Sequence, residues 1–258
     1  MLVNCVSDVV FVLFIKGLKG LFGFLTVLPI GMESMDALSK FFFLSPIVGL
    51  VIGILGGVVG FGASFVLPDL ICGFLVLVVV EFLTGFHHLD GLLDFSDAAM
   101  ARGDTKRRIE VMHDMFTGAA AVGSGVIVLL LTGLAFGNFS GLEILKAAIA
   151  AEVIAKESMV LTAYLGKKPS YKGSGYYVVE SMENKHVEML ISFLLCAVLG
   201  FVLVGIWFIF VLVVMGSAVA ILTVYSNKTL ESVTGDVMGA SNEINRMIAL
   251  LVMLAVIV

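Results

Sequence analysis

The chain alternates long apolar runs with short polar segments, and the apolar runs are long enough to cross a bilayer. A helix needs about 20 mostly apolar residues to span the hydrocarbon core. The pattern predicts seven such helices, over residues 41–66, 69–88, 118–136 and 143–165, two within 187–225 around a turn near Gly205, and one ending at residue 258.

The first apolar run, residues 9–30, differs from the others. Lys16, Lys19 and three glycines interrupt it, which argues against a simple span. We therefore expect an N-terminal helix that lies in the membrane interface or re-enters the bilayer.

Glycines recur at four-residue spacing in the run that covers residues 41–66, at Gly49, Gly53 and Gly57. Small residues at this spacing lie on one face of a helix and let a neighbouring helix approach closely in lipid. We expect this stripe to be a helix–helix contact.

Composition supports a membrane protein. The chain has 258 residues, of which 60% are hydrophobic and 14% charged, and its mean hydropathy is +1.14. These values predict a single all-α domain over residues 1–258, a polytopic bundle in the lipid bilayer. The net charge of −5 argues against nucleic acid as a partner. The sequence leaves a homo-oligomer open.

Basic residues fall on one side of the predicted bundle. They are Lys40, Arg102, Lys106, Arg107, Arg108, Lys167, Lys168, Lys172, Lys185 and Lys228, whereas the turns near Pro68, Asn138 and Gly205 have no lysine or arginine. The positive-inside rule assigns the basic side to the cytoplasm. We expect a multi-pass protein of the cell membrane whose chemically active segments face the cytoplasm.

Charge is concentrated between Glu81 and Gly118. Asp90, Asp94 and Asp97 follow one another at i, i+4 and i+7, so a helix would place them on one face. Hard oxygen ligands at this density favour Mg²⁺, Mn²⁺ or Ca²⁺ over zinc. The simpler alternative is a solvated acidic end of a helix.

Other residues near this stripe have two interpretations each. Glu81 either pairs with a neighbouring charge or joins the same metal network, and His88 either acts as a base or bonds locally. Glu152 and Lys156 have the i, i+4 spacing of an ion pair, which we interpret as structural.

Two glycine-containing segments supply phosphate-binding candidates on the same membrane side. They contain Gly173 and Ser174, and Thr234 and Asp236, and the basic candidates for phosphate binding are Arg102, Lys106 and Arg107. Phosphoryl transfer needs a metal held by carboxylates, cations on phosphate oxygens and a group that deprotonates the attacking hydroxyl. The sequence offers all three.

The motif HLDGLLDFSDA, from His88 to Ala98, and the later motif TGDVMGASNE, from Thr234 to Glu243, together resemble the cobalamin synthase (adenosylcobinamide-GDP ribazoletransferase) family. FLTVLPI, from Phe24 to Ile30, and PIVGLVIG, from Pro46 to Gly53, extend the resemblance. The sequence departs from the family pattern at several positions, including His113, Lys156 and Arg246.

The resemblance implies a transferase that joins adenosylcobinamide-GDP to α-ribazole or its 5′-phosphate and releases GMP, the last step of nucleotide-loop assembly in cobalamin synthesis. It implies Mg²⁺ on Asp90, Asp94 and Asp97, with Glu81 nearby, and catalysis by these aspartates and His88. Asp114, Thr234, Asp236, Asn242 and Glu243 would then contact substrate.

Two other functions remain as alternatives. A membrane phosphotransferase of the CDP-alcohol type also uses aspartates and Mg²⁺, but its Ala-Arg pair falls too late here, at Ala101 and Arg102. An ion-coupled transporter could use Glu81, Glu152 and Lys156 as an ion path. The charges lie at one predicted face of the bundle, which favours the transferase.

Overall fold

The computed structural model describes the backbone of residues 2–31 and 33–257 and the side chains of residues 12, 14–31 and 33–256. The described backbone has no strand and forms twelve α-helices, α1 Leu2–Leu25, α2 Met35–Ser39, α3 Ser45–Ala63, α4 Asp69–Leu83, α5 His87–Met100, α6 Thr105–Met112, α7 Ala119–Phe136, α8 Leu142–Leu165, α9 Ser174–Met182, α10 His186–Val204, α11 Phe208–Thr229 and α12 Gly235–Ile257, with short 3₁₀ helices at Phe42–Leu44 and Gly205–Trp207. The all-α prediction is confirmed.

By length and composition, four segments of the described residues could cross a membrane, or five if α4 and α5 form one bent span. They are Phe42–Ala63, Ala119–Phe136, His186–Thr229 and Gly235–Val256. The predicted count of seven is therefore not confirmed. The third segment contains both α10 and α11, which meet at the Gly205 turn, where φ is +74°. α8 is not among the four because it carries Glu152, Lys156 and Glu157 in its middle.

α8 is the central helix of the bundle. It packs against α3, α12, α10 and α11, and nearly every residue from Ala147 to Val160 is buried. Alanines dominate its first half, so neighbouring helices can approach its backbone closely. Its charged residues are consequently surrounded by protein and do not face lipid.

The glycine stripe of α3 makes the closest of these contacts, as predicted. A methyl group added to Gly49 would lie 2.4 Å from the Glu152 carbonyl oxygen, and one added to Gly53 would lie 2.5 Å from the Ile149 Cα. Gly57 meets Leu145 in the same way, at 2.9 Å from its Cα. α3 and α8 therefore touch backbone to backbone.

The chain bends by 89° between α4 and α5. Gly85 and Phe86 both have left-handed backbone conformations, with φ of +62° and +60°. Two consecutive left-handed residues end α4 and redirect the chain, and the second is strained because phenylalanine has a Cβ. The bend lays α5 against α12 and α7.

The N-terminal segment differs from the prediction in one respect. The backbone of residues 2–25 is one continuous helix, so the three glycines within it do not interrupt it. Gly17 and Gly20 pack closely against Phe41 and Leu38 and thereby let α1 lie on the segment that precedes α3. Its depth in the bilayer stays a prediction.

The α3–α8 contact leads to a stability prediction. Gly53→Ala should destabilise the protein by about 1–3 kcal/mol, because the new methyl group overlaps backbone atoms of α8 that cannot move aside. The melting temperature of the purified protein in detergent measures this. Gly62→Ala is the control, since Gly62 lies in the same helix with no atom within 4 Å of an added Cβ. Equal melting temperatures for the two variants would contradict the proposed packing.

Candidate active site

The aspartate stripe lies along α5. Asp90 is in its first turn and exposed, and Asp94 and Asp97 are partly buried. Asp94 lies close enough to Asp90, Asp97 and Asp236 for their charges to act on one another. Carboxylates gathered in this way repel one another unless a cation lies between them.

Two glycines bring the first turn of α12 to this stripe. A methyl group added to Gly91 would lie 3.0 Å from the Asp236 Cα, and one added to Gly239 would lie 3.0 Å from the His88 carbonyl oxygen. Larger residues at either position would separate the helices. Asp236 therefore joins the α5 carboxylates through this close helix crossing.

A cavity of ≈ 460 Å³ opens beside Asp90. The polar part of its lining, the polar wall, consists of His87, His88, Asp90, Ser174 and Asp236. The apolar part of its lining, the apolar wall, consists of Phe24, Leu25, Phe42, Met159 and Met238. Gly23, Gly235 and Gly239 complete the lining. The cavity thus offers an anionic, hydrogen-bonding surface and a hydrophobic surface to one ligand.

His88 lies in the polar wall but is only 5% exposed. Its Nδ1 is buried and has no hydrogen-bond partner in the described structure. Buried polar atoms are normally hydrogen-bonded, so an unpaired one beside a cavity points to a group that a ligand or water satisfies. His88 is therefore placed to exchange a hydrogen bond or a proton with a bound substrate.

A smaller cavity of ≈ 170 Å³ adjoins the first and shares Ser174, Gly235 and Asp236 with it. Gly173, Thr234, Tyr171 and His113 also line it. The predicted segments around Gly173 and Thr234 do meet, because Gly175 packs directly on the backbone of Thr234 and Gly235.

Thr234 and Tyr171 are held in place within this smaller cavity. Thr234 Oγ1 donates to Asp236 Oδ2 at 3.2 Å and accepts from the Val237 N–H at 3.3 Å, which caps α12. Burial, together with the nearby Asp236 carboxylate, raises the pKa of Tyr171 to about 12. Its hydroxyl lies 3.1 Å from Nε2 of His113, which lines the same cavity.

Asp97 has a different role from the one predicted. Its carboxylate accepts the Gly118 N–H at 2.5 Å and the Ala121 N–H at 2.9 Å, at the start of α7. A carboxylate at a helix N-terminus is stabilised by the free N–H groups there. Asp97 is thus occupied in joining α5 to α7.

The residues that the structure describes contain no group of three or more His, Cys, Asp or Glu side chains arranged to hold a metal ion. A preformed site made from Glu81, Asp90, Asp94 and Asp97 is therefore not found. Mg²⁺ usually binds through one or two carboxylates together with substrate phosphates. Asp90 and Asp94 fit that simpler arrangement, because both belong to the repelling carboxylate group and Asp90 faces the cavity.

Glu81, predicted to be a metal ligand, belongs to a buried ion cluster in this structure. Arg246, fully buried on α12, contacts Glu81 Oε1 at 2.6 Å, Glu152 Oε1 at 2.5 Å and Glu243 Oε2 at 2.6 Å. The three carboxylates come from α4, α8 and α12. One guanidinium thus joins three helices.

Lys156 and Asn242 extend the cluster. Lys156 Nζ lies 3.5 Å from Glu152 Oε2, which confirms the predicted pair, and it donates to Asn242 Oδ1 at 2.7 Å. Asn242 Nδ2 donates to Glu243 Oε1 at 2.9 Å. Asn242 and Glu243 are completely paired and 0% and 1% exposed. They lie inside the bundle in this structure, and their contact with substrate stays a prediction.

The basic residues predicted to bind phosphate lie away from the two adjoining cavities. Arg102 is exposed, Arg107 pairs with Glu110 at 3.3 Å on the surface, and Lys106 lines a separate hollow with Glu110 and Glu231. Arg108 instead caps α5, through the carbonyls of Ala98 and Ala99. In this conformation the structure does not bring these cations to the aspartates.

Asp114 also lies outside the main cavity. It accepts the Phe116 N–H at 3.1 Å and borders a surface hollow with Asp97 and Gly118. The bond closes the loop that leads into α7. Its predicted contact with substrate is therefore not seen in this arrangement.

Residues 17–254 match a family model described as cobalamin-5-phosphate synthase. The match covers almost the whole chain. The chain belongs to the cobalamin-5-phosphate synthase family.

Curated relatives agree with this assignment. The chain is 34% identical to the adenosylcobinamide-GDP ribazoletransferase of Methanosarcina mazei over 252 residues, which cover 89% of this chain and 88% of the relative. Proteins of the same name from Methanosarcina barkeri and Methanococcoides burtonii are each 32% identical, over 90% of this chain and 89% of theirs. No solved structure gives a significant match.

For this member of the cobalamin-5-phosphate synthase family, motif reasoning missed the apolar wall and Tyr171. The apolar residues resemble ordinary core positions in sequence, and only the fold gathers them around a cavity. Tyr171 had a weaker signal, since it directly precedes the predicted phosphate-binding segment at Lys172 and Gly173.

The buried cluster leads to a second stability prediction. Arg246→Met should destabilise this family member by about 3–5 kcal/mol, because it leaves three buried carboxylates without their shared cation. Arg107→Met removes an exposed ion pair and should change stability by less than about 1 kcal/mol. Denaturation of both purified variants in detergent measures the difference. If Arg246→Met unfolds like the wild type, the cluster does not hold the helices together.

Proposed function

We propose that the protein joins adenosylcobinamide-GDP to α-ribazole or its 5′-phosphate and releases GMP, completing the nucleotide loop of a cobalamin. The observation that carries this proposal is the family match over residues 17–254. The relatives from the three methanogens bear the name of this transferase. The site agrees chemically, since one cavity combines carboxylates, a buried imidazole and an apolar surface.

The reaction makes one bond and breaks another. A free ribose hydroxyl of the acceptor attacks the phosphorus next to cobinamide, the P–O–P bridge breaks and GMP leaves with the bridging oxygen. The hydroxyl proton must pass to a base. His88 suits this role because it lines the cavity with Asp90 and its buried Nδ1 has no hydrogen-bond partner among the described residues.

Mg²⁺ is part of the proposal, held by Asp90 and Asp94 with substrate phosphates completing its coordination. When bound, it would neutralise charge on the diphosphate. The protein itself contributes by positioning the substrate phosphates. Asp236 and Thr234 line the smaller cavity and bond each other there, and the adjacent Tyr171 and His113 would face a phosphate bound in it.

The proposal includes the site's location. The four apolar segments support a multi-pass membrane protein. Lysines and arginines occur at the loops that border the cavities, such as Lys167, Lys168 and Lys172, and the turns predicted at the opposite end have none. We place the site at the cytoplasmic face of the cell membrane, where the water-soluble acceptor would meet the enzyme.

The proposed reaction predicts Mg²⁺-dependent release of GMP. Purified protein in detergent, given adenosylcobinamide-GDP, α-ribazole 5′-phosphate and Mg²⁺, should yield GMP and a corrinoid product, and EDTA should stop both. Asp90→Asn should lower the rate at least about 10²-fold, since it removes a carboxylate expected to hold the metal. Asp36→Asn, at an exposed aspartate paired with Lys40, should keep the wild-type rate. A folded wild-type protein that forms no GMP would contradict the proposal.

The assigned base predicts a selective loss of kcat. His88→Asn should lower kcat by about 10²–10⁴-fold, because the general base is lost, and should change KM little. His186→Asn serves as the control, because His186 bonds Tyr164 at the start of α10. Single-turnover rates would separate chemistry from product release. If His88→Asn reacts as fast as wild type, the proton goes to another group.

A further inference from the structure

The apolar wall of the main cavity has no part in the phosphoryl transfer described above. Phe24 and Leu25 end α1, Phe42 begins the 3₁₀ helix before α3, and Met159 and Met238 come from α8 and α12. Phe42 is completely buried, and the two methionines are 4% and 3% exposed. Four segments distant in sequence thus contribute apolar residues to one cavity that Asp90 and Asp236 also line.

The volume of the cavity limits which part of the substrates can enter it. At ≈ 460 Å³ it lies in the range of pockets for molecules the size of a nucleotide. The corrin ring of cobinamide, with its side-chain amides and adenosyl group, is too large for this space. A nucleoside of either substrate fits this space, the guanosine of the donor or the ribazole of the acceptor.

Polarity distinguishes these two nucleosides. The base of α-ribazole is 5,6-dimethylbenzimidazole, which is flat and has two methyl groups and no exocyclic hydrogen-bonding group. Guanine has a carbonyl, an amino group and a ring N–H, and leaving these unpaired against the apolar wall would cost binding energy. Methionine side chains adapt well to flat aromatic rings and form favourable sulfur–aromatic contacts. The apolar wall suits the acceptor's base.

We propose that Met159 and Met238 form part of the pocket for the aromatic base of the acceptor and determine which lower-ligand nucleoside the enzyme uses. This inference depends on the proposed function and names the acceptor subsite within the same cavity. In this arrangement the base would contact the apolar wall and the ribose hydroxyl would point toward His88, which lines the same cavity. The donor's diphosphate would meet Asp90 through Mg²⁺.

The test compares two acceptors, α-ribazole 5′-phosphate and its counterpart with unmethylated benzimidazole. In the wild type, burial of two methyl groups should lower the acceptor KM about tenfold. Met159→Ala and Met238→Ala should reduce this preference to about two- to threefold by raising the KM for the methylated acceptor. The loss should fall on the KM for the acceptor and not on the KM for adenosylcobinamide-GDP.

Two further variants test whether the change in acceptor preference results from a general loss of structure. Met238→Phe fills the pocket and leaves no void, so it should reverse the preference toward the unmethylated acceptor. Met253→Ala removes an equally buried methionine from α12 outside the cavity and should keep the tenfold preference.

The outcomes separate this inference from the proposed function. Active wild-type enzyme whose preference is unchanged in Met159→Ala, Met238→Ala and Met238→Phe would overturn the base pocket alone. A higher KM for adenosylcobinamide-GDP in these variants, with the acceptor KM unchanged, would overturn it as well, because guanine would then occupy the wall. If the wild type releases no GMP with either acceptor, both proposals fail.

Discussion

The bundle depends on one buried guanidinium that three carboxylates surround. Taking these charges out of water is expensive, and the cost is offset only while every partner stays in place. Arg246 meets Glu81 from α4, Glu152 from α8 and Glu243 from its own helix. The positive charges of Arg246 and Lys156 act on the nearby His88. Electrostatic attraction therefore sets the relative position of α4, α8 and α12. Of these helices, α8 and α12 contribute residues to the cavity lining.

Close packing of glycines adds the second constraint. Helices in lipid have no strong hydrophobic driving force for association, so close packing of small residues holds them together instead. The α3 stripe fixes α8, and Gly91 with Gly239 fixes α5 on α12. These contacts converge on the site, because α8, α5 and α12 each supply residues to the cavity. A shift of the α5–α12 crossing would separate Asp90 from Asp236 directly.

Periodicity and motifs predicted much of this arrangement. The all-α class, the contact stripe of Gly49, Gly53 and Gly57, and the Glu152–Lys156 pair follow from spacing along single helices, and the structure confirms them. Partners that lie far apart in sequence could not be predicted in this way. Glu81 looked like a metal ligand because it is near Asp90 in sequence, but its partner, Arg246, is 165 residues away. Asn242 likewise has a distant partner, Lys156, which is 86 residues away.

The two walls of the cavity explain why motif reasoning found only half of the site. Carboxylates, histidines and glycines have distinctive spacing because their chemistry requires it, so the polar wall was predicted from residues such as Asp90 and Asp236. A methionine or phenylalanine that holds a ligand looks in sequence like one that fills a core. In a membrane protein this ambiguity is greatest, since apolar residues also face lipid. Only the three-dimensional structure shows that Met159 and Met238 line a cavity together with charged groups. Their position beside those groups is the reason for proposing that they select the substrate.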